Sequence, residues 1–528
     1  VSDIFFVAYD VAESVHPGMA PDGTRPASYD WTGLVGQRNE VAVALMQADQ
    51  SFVTNSALDL ISEIGPVIIA AGPSELVSEG STITASRYLG VAPDLATLTD
   101  AWHATQDNNT ETVGGSVTAS GYAVQGARVH ILDEDMRVLT QAITGDNGLW
   151  QADVAAGTQA QVVATGRGTG VHYDLPIGAG WFSPYSAAPV RLGGLAALHG
   201  GAEPNPNAEG YGISSTLPAD DNTSLVLTRP GTLKVSISDG GPAVVRVDFA
   251  SGDPETEDTW LTHDRPSGAA AWLYIKDGLG EIPLEPSEYT VVVHRGARYD
   301  PIIRSVEISS GEITDLAADL EVVMMPPGIW AADPHAHASP SPDGQLPMEG
   351  RLLTHAAHGI DIHFGTDHDH IADYRVLLGP LGLHEVLASI VASEVSPPLR
   401  GHHNAYPLQE APDQASNGGL TWWTAWTDWA STADMHDQIR VLPSDGEVLV
   451  QANHPLGSGG LLGAAGHEPN DGTIAHPEMW SPNFDAIEVL NDGRYGDYLT
   501  HYLDLINRGL NPVPVGVSDS HSHRGGVG

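Results

Sequence analysis

Between Pro327 and Gly528 the chain repeats one pattern, a short apolar run followed at once by a cluster of histidines and carboxylates. That stretch, well under half of the 528 residues, holds 17 of the 24 histidines, so the chemistry is expected there. Gly328-Ile329-Trp330-Ala331-Ala332 leads into Asp333-Pro334-His335-Ala336-His337. Ile360, Ile362 and Phe364 alternate into Gly365-Thr366-Asp367-His368-Asp369-His370, and the run Leu387 to Val395 brings up Glu394 shortly before Gly401-His402-His403-Asn404. Three more runs end in Asn453-His454-Pro455, in Asn491, and in Ser518-Asp519-Ser520-His521. Leu346 to His358, with apolar Met348, Leu352, Leu353 and Ala356, is predicted to be a helix closed by Gly359. In a barrel of parallel strands the loops after the strand C-termini gather on one face. In extended chain residues i and i+2 point the same way, so His335 and His337 reach one ion.

One histidine at a strand end is ordinarily a hydrogen-bonded residue. Two residue-x-residue pairs, His335 with His337 and Asp519 with His521, with a carboxylate and further histidines between them, point to metal. Imidazole and carboxylate without thiolate suit zinc, manganese or iron, and the set exceeds the three or four ligands one catalytic zinc takes, so two or three divalent ions are implied. The chain has no cysteine, which excludes thiol nucleophiles, and the histidine-rich region has no Gly-x-Ser-x-Gly elbow. Hydrolysis by metal-activated water needs neither.

With 22 basic against 67 acidic side chains, a formal charge of -45, the surface repels phosphate backbones and anionic lipid. Nucleic acid is not expected as a partner. No run approaches the roughly 18 apolar residues that span a bilayer, so membrane insertion is not expected either. The start at Val1, the 20 Arg against two Lys and the β-rich front end suggest an exported, secreted, periplasmic or cell-surface bacterial protein with its signal peptide removed. The length predicts several domains. Residues 1–110 carry no functional signal, with helices predicted over Asn39–Gln50 and Ser56–Ile64. Residues 111–170 alternate with period two, Ala127, Val129 and Ile131 on one face and Trp150, Ala152 and Val154 on another, around the turn Gly145-Asp146-Asn147-Gly148. A connector over 171–229 precedes a second β-rich module, 230–326, with alternation at Leu233, Val235, Ile237, at Val245, Val247, Phe249 and at Tyr289, Val291, Val293. These modules read as platforms or as binders of carbohydrate or of a partner, including self-association through their sheets.

The run Gly126-Ala127-Arg128-Val129 and the turn Thr144–Gly148 resemble the carboxypeptidase regulatory-like, transthyretin-type β module. The ordered series D-P-H-A-H, G-T-D-H-D, a strand-ending Glu, G-H-H-N-A-Y-P, A-N-H-P and V-S-D-S-H resembles the PHP (polymerase and histidinol phosphatase) superfamily, and within it the CehA/McbA-type metallohydrolase branch. The resemblance spans about Trp330 to the C-terminus. It implies, over 327–528, a distorted (β/α)7 barrel with a trinuclear metal centre, so that with the alternating stretches before it the chain is expected to be multidomain, β-sandwich modules followed by that barrel. The ligands it implies are His335, His337, Asp343, His368, Glu394 as bridging carboxylate, His402, His454, Asp519 and His521. Asp343 reads alternatively as a turn aspartate before Gly344, and Asp367 as a partner orienting an imidazole. Because the chain stops seven residues after His521, the barrel's last helix is expected to be missing.

Within that resemblance His403 or His454 protonates a leaving group, and Arg524 contacts an anionic substrate or is a solvated tail residue. Trp422, Trp423, Trp426 and Trp429 pack on the barrel or wall the pocket. The implied activity is hydrolysis of a small-molecule phosphoester, or of a carbamate, ester or amide. The rival is a non-catalytic, metal-binding surface protein whose β modules form fibres.

Overall fold

The computed structural model describes residues 2–6, 12–15, 17–19, 28–36, 42–47, 52–53, 67–71, 87–166, 171–173, 214–250 and 269–521, without 325, 345, 399, 423–430, 458 and 492–494. The described part is β-rich and multidomain, with several separate sheets. It divides into two compact units, one running to Leu320 without 295–300, the other holding Arg295–Asp300 and the residues from Glu321 onward.

In the first unit, Ala42–Gln47 is a strand between Trp31–Gly36 and Arg87–Ala92, not part of a helix over Asn39–Gln50. Its apolar run has no helical break, and an unbroken apolar stretch fits either period. Burial of Ala42, Ala44 and Met46 obeys period two. The helix predicted over Ser56–Ile64 lies outside the described residues. Leu95–Thr105 is the helix of this region, capped by Asp94, whose Oδ1 accepts the Thr97 N–H at 2.9 Å. Leu95, Leu98 and Trp102 pack with Trp31, Ala42, Leu132 and Val138.

The alternation read over 113–168 is a sandwich. Thr110–Ala119 lies between Tyr122–Ala123 and Leu149–Ala155, and Arg128–Leu132 between Val138–Ile143 and Gln161–Thr165. Ala127, Val129, Ile131, Trp150, Ala152 and Val154 share its core. Two strands from the expected connector complete it: Thr223–Leu227 pairs parallel with Thr110–Ala119, and Leu217–Pro218 with Gln161–Thr165. The second β-rich stretch forms a three-stranded sheet and four strands of a five-stranded one, whose edge strand Val171–Tyr173 comes from the expected connector and pairs parallel with Ala269–Ile275. Leu233, Val235, Val245, Val247, Tyr289, Val291 and Val293 are fully buried there.

In the second unit, Ala332–Asp333, Ile362–Gly365 and Ala388–Val391 form a parallel sheet. A mixed sheet runs Ser393–Val395, His403–Tyr406, Leu449–Ala452, Ala486–Leu490, Val513–Gly516. Isolated parallel bridges, His368 to Glu394 and Ala336 to Ser520, tie the two sheets together at both ends. The repeat of seven β/α units is not followed throughout, because the 403–406 strand runs antiparallel to both its neighbours. Residues 396–402 alone connect it to its predecessor, and a parallel crossover takes about a dozen or more. The predicted helix forms as Met348–Ala357, with Gly359 at φ +72° just beyond it. Val450, Ile487, Leu461, Met435 and Leu505 are among the residues of this unit's core.

Candidate metal centre

The histidine clusters meet where the two sheets are bridged. Residues 335 and 337 follow the 332–333 strand, and their rings lie 5.0 Å apart. The bridge at Ala336 holds this segment against the one that carries Asp519 and His521. His368 follows the 362–365 strand, and Glu394 sits inside Ser393–Val395, fully buried.

Glu394 is the hub. Its oxygens lie 2.7 Å from His368 Nδ1, 3.3 Å from His402 Nδ1, 3.4 Å from the Nε2 atoms of His335 and His454, and 3.7 Å from His337 Nε2. Asp519 Oδ1 reaches His335 Nε2 at 3.1 Å and His337 Nε2 at 3.2 Å. Asp343 Oδ2 lies 3.0 Å from His368 Nε2 and 3.2 Å from His521 Nε2, so it faces the cluster; its Oδ1 takes the Ser341 hydroxyl. All nine residues expected as ligands are thus brought together. Three overlapping groups have donor atoms close enough to hold an ion: His337, Asp343, His368 and His521; His335, His337 and Glu394; His368, Glu394 and His402.

The electrostatics follow from this crowding. Burial raises the Glu394 pKa, but the charges of His368, His335 and His402 outweigh it and hold the carboxyl well below its usual range. Burial likewise works against the charged form of Asp519, which the neighbouring imidazoles keep ionised. His335 and His368 are pushed well above the ordinary value, carboxylates overcoming burial. His337 is lowered to about 3, by burial and then by the charge of His521. Buried His335 Nε2, Glu394 Oε2, His402 Nδ1 and His521 Nε2 make no hydrogen bond. Buried donor atoms without hydrogen bonds, in a set of imidazoles and carboxylates without thiolate, fit divalent cations.

Other expectations land elsewhere. His403 turns away from the cluster: its Nδ1 meets the Gly401 carbonyl at 3.1 Å, and its ring packs edge-on against His436. Asp367 orients no imidazole; its oxygens accept the Ala338 N–H and the Tyr374 hydroxyl, each at 2.8 Å, and burial lifts its pKa to about 7. The indole N–H of Trp422 donates to Asp369 Oδ2 at 2.7 Å. Trp423, Trp426, Trp429 and Arg524 lie outside the described residues.

Glu488 escaped the sequence reading, although a carboxylate in the run Ala486-Ile487-Glu488-Val489-Leu490 was its signal: it is fully buried, 2.6 Å from His335 Nδ1. Arg351 also escaped. A buried residue of the 348–357 helix, it donates to the carbonyls of His337 and Ser520.

No protein-family model matches the chain, and no curated protein does. Among solved structures it is similar to a two-domain protein of Bacteroides vulgatus described as containing a predicted PHP-like metal-dependent phosphoesterase, at 19% identity over 36% of this chain and a TM-score of 0.25. The chain spans about half, 52%, of that protein's length. It is also similar to a minor pilin of Streptococcus agalactiae, at 12% identity over 42% of this chain and 98% of the pilin, with a TM-score of 0.19. A shaft pilin of Lactobacillus rhamnosus GG aligns at 11% identity over 41% of this chain and all of the pilin, again with a TM-score of 0.19. Overlap of this size fixes neither fold nor function.

Proposed function

We propose that the second unit is a metal-dependent hydrolase of PHP type, its bridged sheets a distorted barrel of that superfamily, working on a phosphoester or on a carbamate, ester or amide bond. One observation carries the reading: a single buried carboxylate, Glu394, faces five imidazoles drawn from four separate loops. A structural core has no use for such an arrangement, since burying charge without strong compensation is costly.

His335, His337, Asp343, His368, Glu394, His402, His454, Asp519 and His521 would hold the ions. Bound divalent cations supply Lewis acidity, bringing a water's pKa to about 7 and stabilising the charge that develops on the substrate oxygen. The protein's own part is to keep these side chains aimed. Glu394 stays ionised and spans the groups. With His403 turned away, His454 is the other histidine expected to protonate a leaving group, and it would do so from the ring nitrogen that holds no ion.

The test is elemental analysis of the purified chain, then hydrolysis of an aryl phosphate, a phosphodiester, a carboxylate ester and a carbamate before and after chelation. Bound metal and chelator-sensitive turnover are expected. Glu394→Gln should lose metal, and activity by more than the roughly 10- to 100-fold that removal of an outer partner costs. A chain that self-associates and shows no metal-dependent turnover would support the assembly reading in its place.

A further inference from the structure

Glu488 sits in the middle of the 486–490 strand with no exposure to solvent and is used to its full capacity. Its Oε1 takes His335 Nδ1 at 2.6 Å and Gln451 Nε2 at 3.0 Å; its Oε2 takes the backbone N–H of His454 and Asn491 Nδ2, the latter at 2.8 Å. A carboxylate has only acceptors to offer, so Nδ1 of His335 carries a proton, and Nε2, the atom that faces Glu394 and Asp519, is the one left to coordinate a bound ion. Asn491 Nδ2 also reaches Asp519 Oδ2 at 3.2 Å. Gln451 Nε2 also donates to Asn453 Oδ1, and Asn453 in turn donates to Glu394 Oε1 at 2.8 Å. One side chain therefore fixes His335 directly, the backbone of His454 directly, and Asp519 and Glu394 through one and two amides.

The group His337, Asp343, His368 and His521 is braced differently. Ser341 serves His337 and Asp343, and Ser396 serves His368. No hydrogen bond described for Glu488 reaches Asp343, His368 or His521.

We infer that Glu488 is a positioning residue that sets the affinity of one ion of the centre, the one held by the His335, His337 and Glu394 group, far more than that of the ion held by the His337, Asp343, His368 and His521 group. The inference rests on the metal centre proposed above. Glutamine cannot replace Glu488. With its oxygen toward His335, its amide N–H groups face the N–H donors of His454 and Asn491; turned over, they face His335 and drive the imidazole to the wrong tautomer.

The experiment is zinc binding by the full chain, stripped and then titrated with Zn2+ against a competing chelator, for wild type, Glu488→Gln and Asn491→Ala, with thermal melts recorded after stripping. Glu488→Gln is expected to weaken one zinc equivalent about 10- to 100-fold, as loss of an outer partner of a ligating histidine does, and to weaken the others, which share only His337 or Glu394 with it, by much less. Asn491→Ala, which keeps the His335 contact, should weaken the same equivalent by less, and decides the matter if Glu488→Gln does not fold. Wild-type affinity for every equivalent in both variants overturns the inference while the metal centre stands. Equal weakening of all equivalents overturns the division into separately braced groups. A wild-type chain that takes up no zinc overturns the inference and the proposed function together.

Discussion

Arg351 carries a charge into the interior and directs it to the backbone of two ligand-bearing loops. It has no exposure to solvent, and its guanidinium donates to the His337 carbonyl at 2.8 Å and to the Ser520 carbonyl and hydroxyl at 2.7 and 3.1 Å. It thus staples the loop carrying His335 and His337 to the loop carrying Asp519 and His521. Arg351→Met keeps much of the length but strands the buried His337 carbonyl, worth about 1–3 kcal/mol, and takes a charged donor from the Ser520 carbonyl, which keeps only the His337 N–H. The expected loss is about 3 kcal/mol, read as a lower urea midpoint, and an unchanged midpoint would show that the staple is dispensable. The same scale explains what was legible in the sequence. Candidate ligands announce themselves because few roles other than coordination bring histidine-x-histidine and aspartate-x-histidine to strand ends. Arg351 and Glu488 do not, because their work depends on which distant backbone lies opposite, and helix or strand periodicity carries no record of that. The reverse error has the same root: Asp367 and His403 have the right chemistry beside true candidates and face other neighbours.

At the scale of elements, the bend before the 403–406 strand positions His402. Gly401 there has φ +81°, and an added Cβ would stand 2.5 Å from the Leu461 backbone nitrogen. Gly401→Ala would therefore pay about 1–2 kcal/mol for the left-handed backbone, besides pushing on the 461–465 helix. A lower melting temperature together with weaker zinc binding is expected, since His402 is the next residue. A variant that melts lower yet binds zinc as tightly would separate this bend from the centre. The packing of the strands also dictates a response to acid. His363, on the 362–365 strand, is buried and lowered to about 3 by burial and then by the charge of Arg351. His436, on the helix Thr432–Ile439, is lowered to about 4 by burial and then by Arg440. Both are neutral when folded, whereas unfolded histidine takes up a proton below about pH 6.5. The unfolded chain then binds more protons, so the stabilisation is full above pH 6.5 and is lost progressively as the pH falls toward 4 and 3. The metal-free protein should lose up to about 1.4 kcal/mol per pH unit for each of the two groups across that window. Urea midpoints at pH 7 and 5 check it, and His436→Gln should flatten the slope. Elements were legible where periodicity was one-sided, as in the 348–357 helix and the sandwich strands. They were misread at 42–47, where continuous apolarity fits two periods.

For the whole molecule, the consequential fact is that the histidines and the sandwich sheets belong to different compact units. Three core clusters among the described residues each draw on one unit alone: the two around Trp150 and Trp102 on the first, the one around Ile487 on the second. Separate cores imply separate unfolding transitions, and all nine candidate ligands lie in the second unit. An ion that binds the folded second unit but not its unfolded chain stabilises by RT ln(1 + [L]/Kd), about 2.7 kcal/mol at a hundredfold excess over Kd. For a unit of about 200 residues, each kcal/mol moves the transition by roughly 2–4 °C. Differential scanning calorimetry of the full chain should therefore show two transitions, of which zinc raises one by about 5–10 °C and chelation returns it, with the other fixed. Salt acts by a different route. The charge of -45 repels itself in both units, so added sodium chloride should raise both transitions with or without zinc. If zinc raised both transitions together, its stabilisation would be a general effect of divalent charge on an acidic chain, and the centre around Glu394 would lose its claim to be the place where the ion acts.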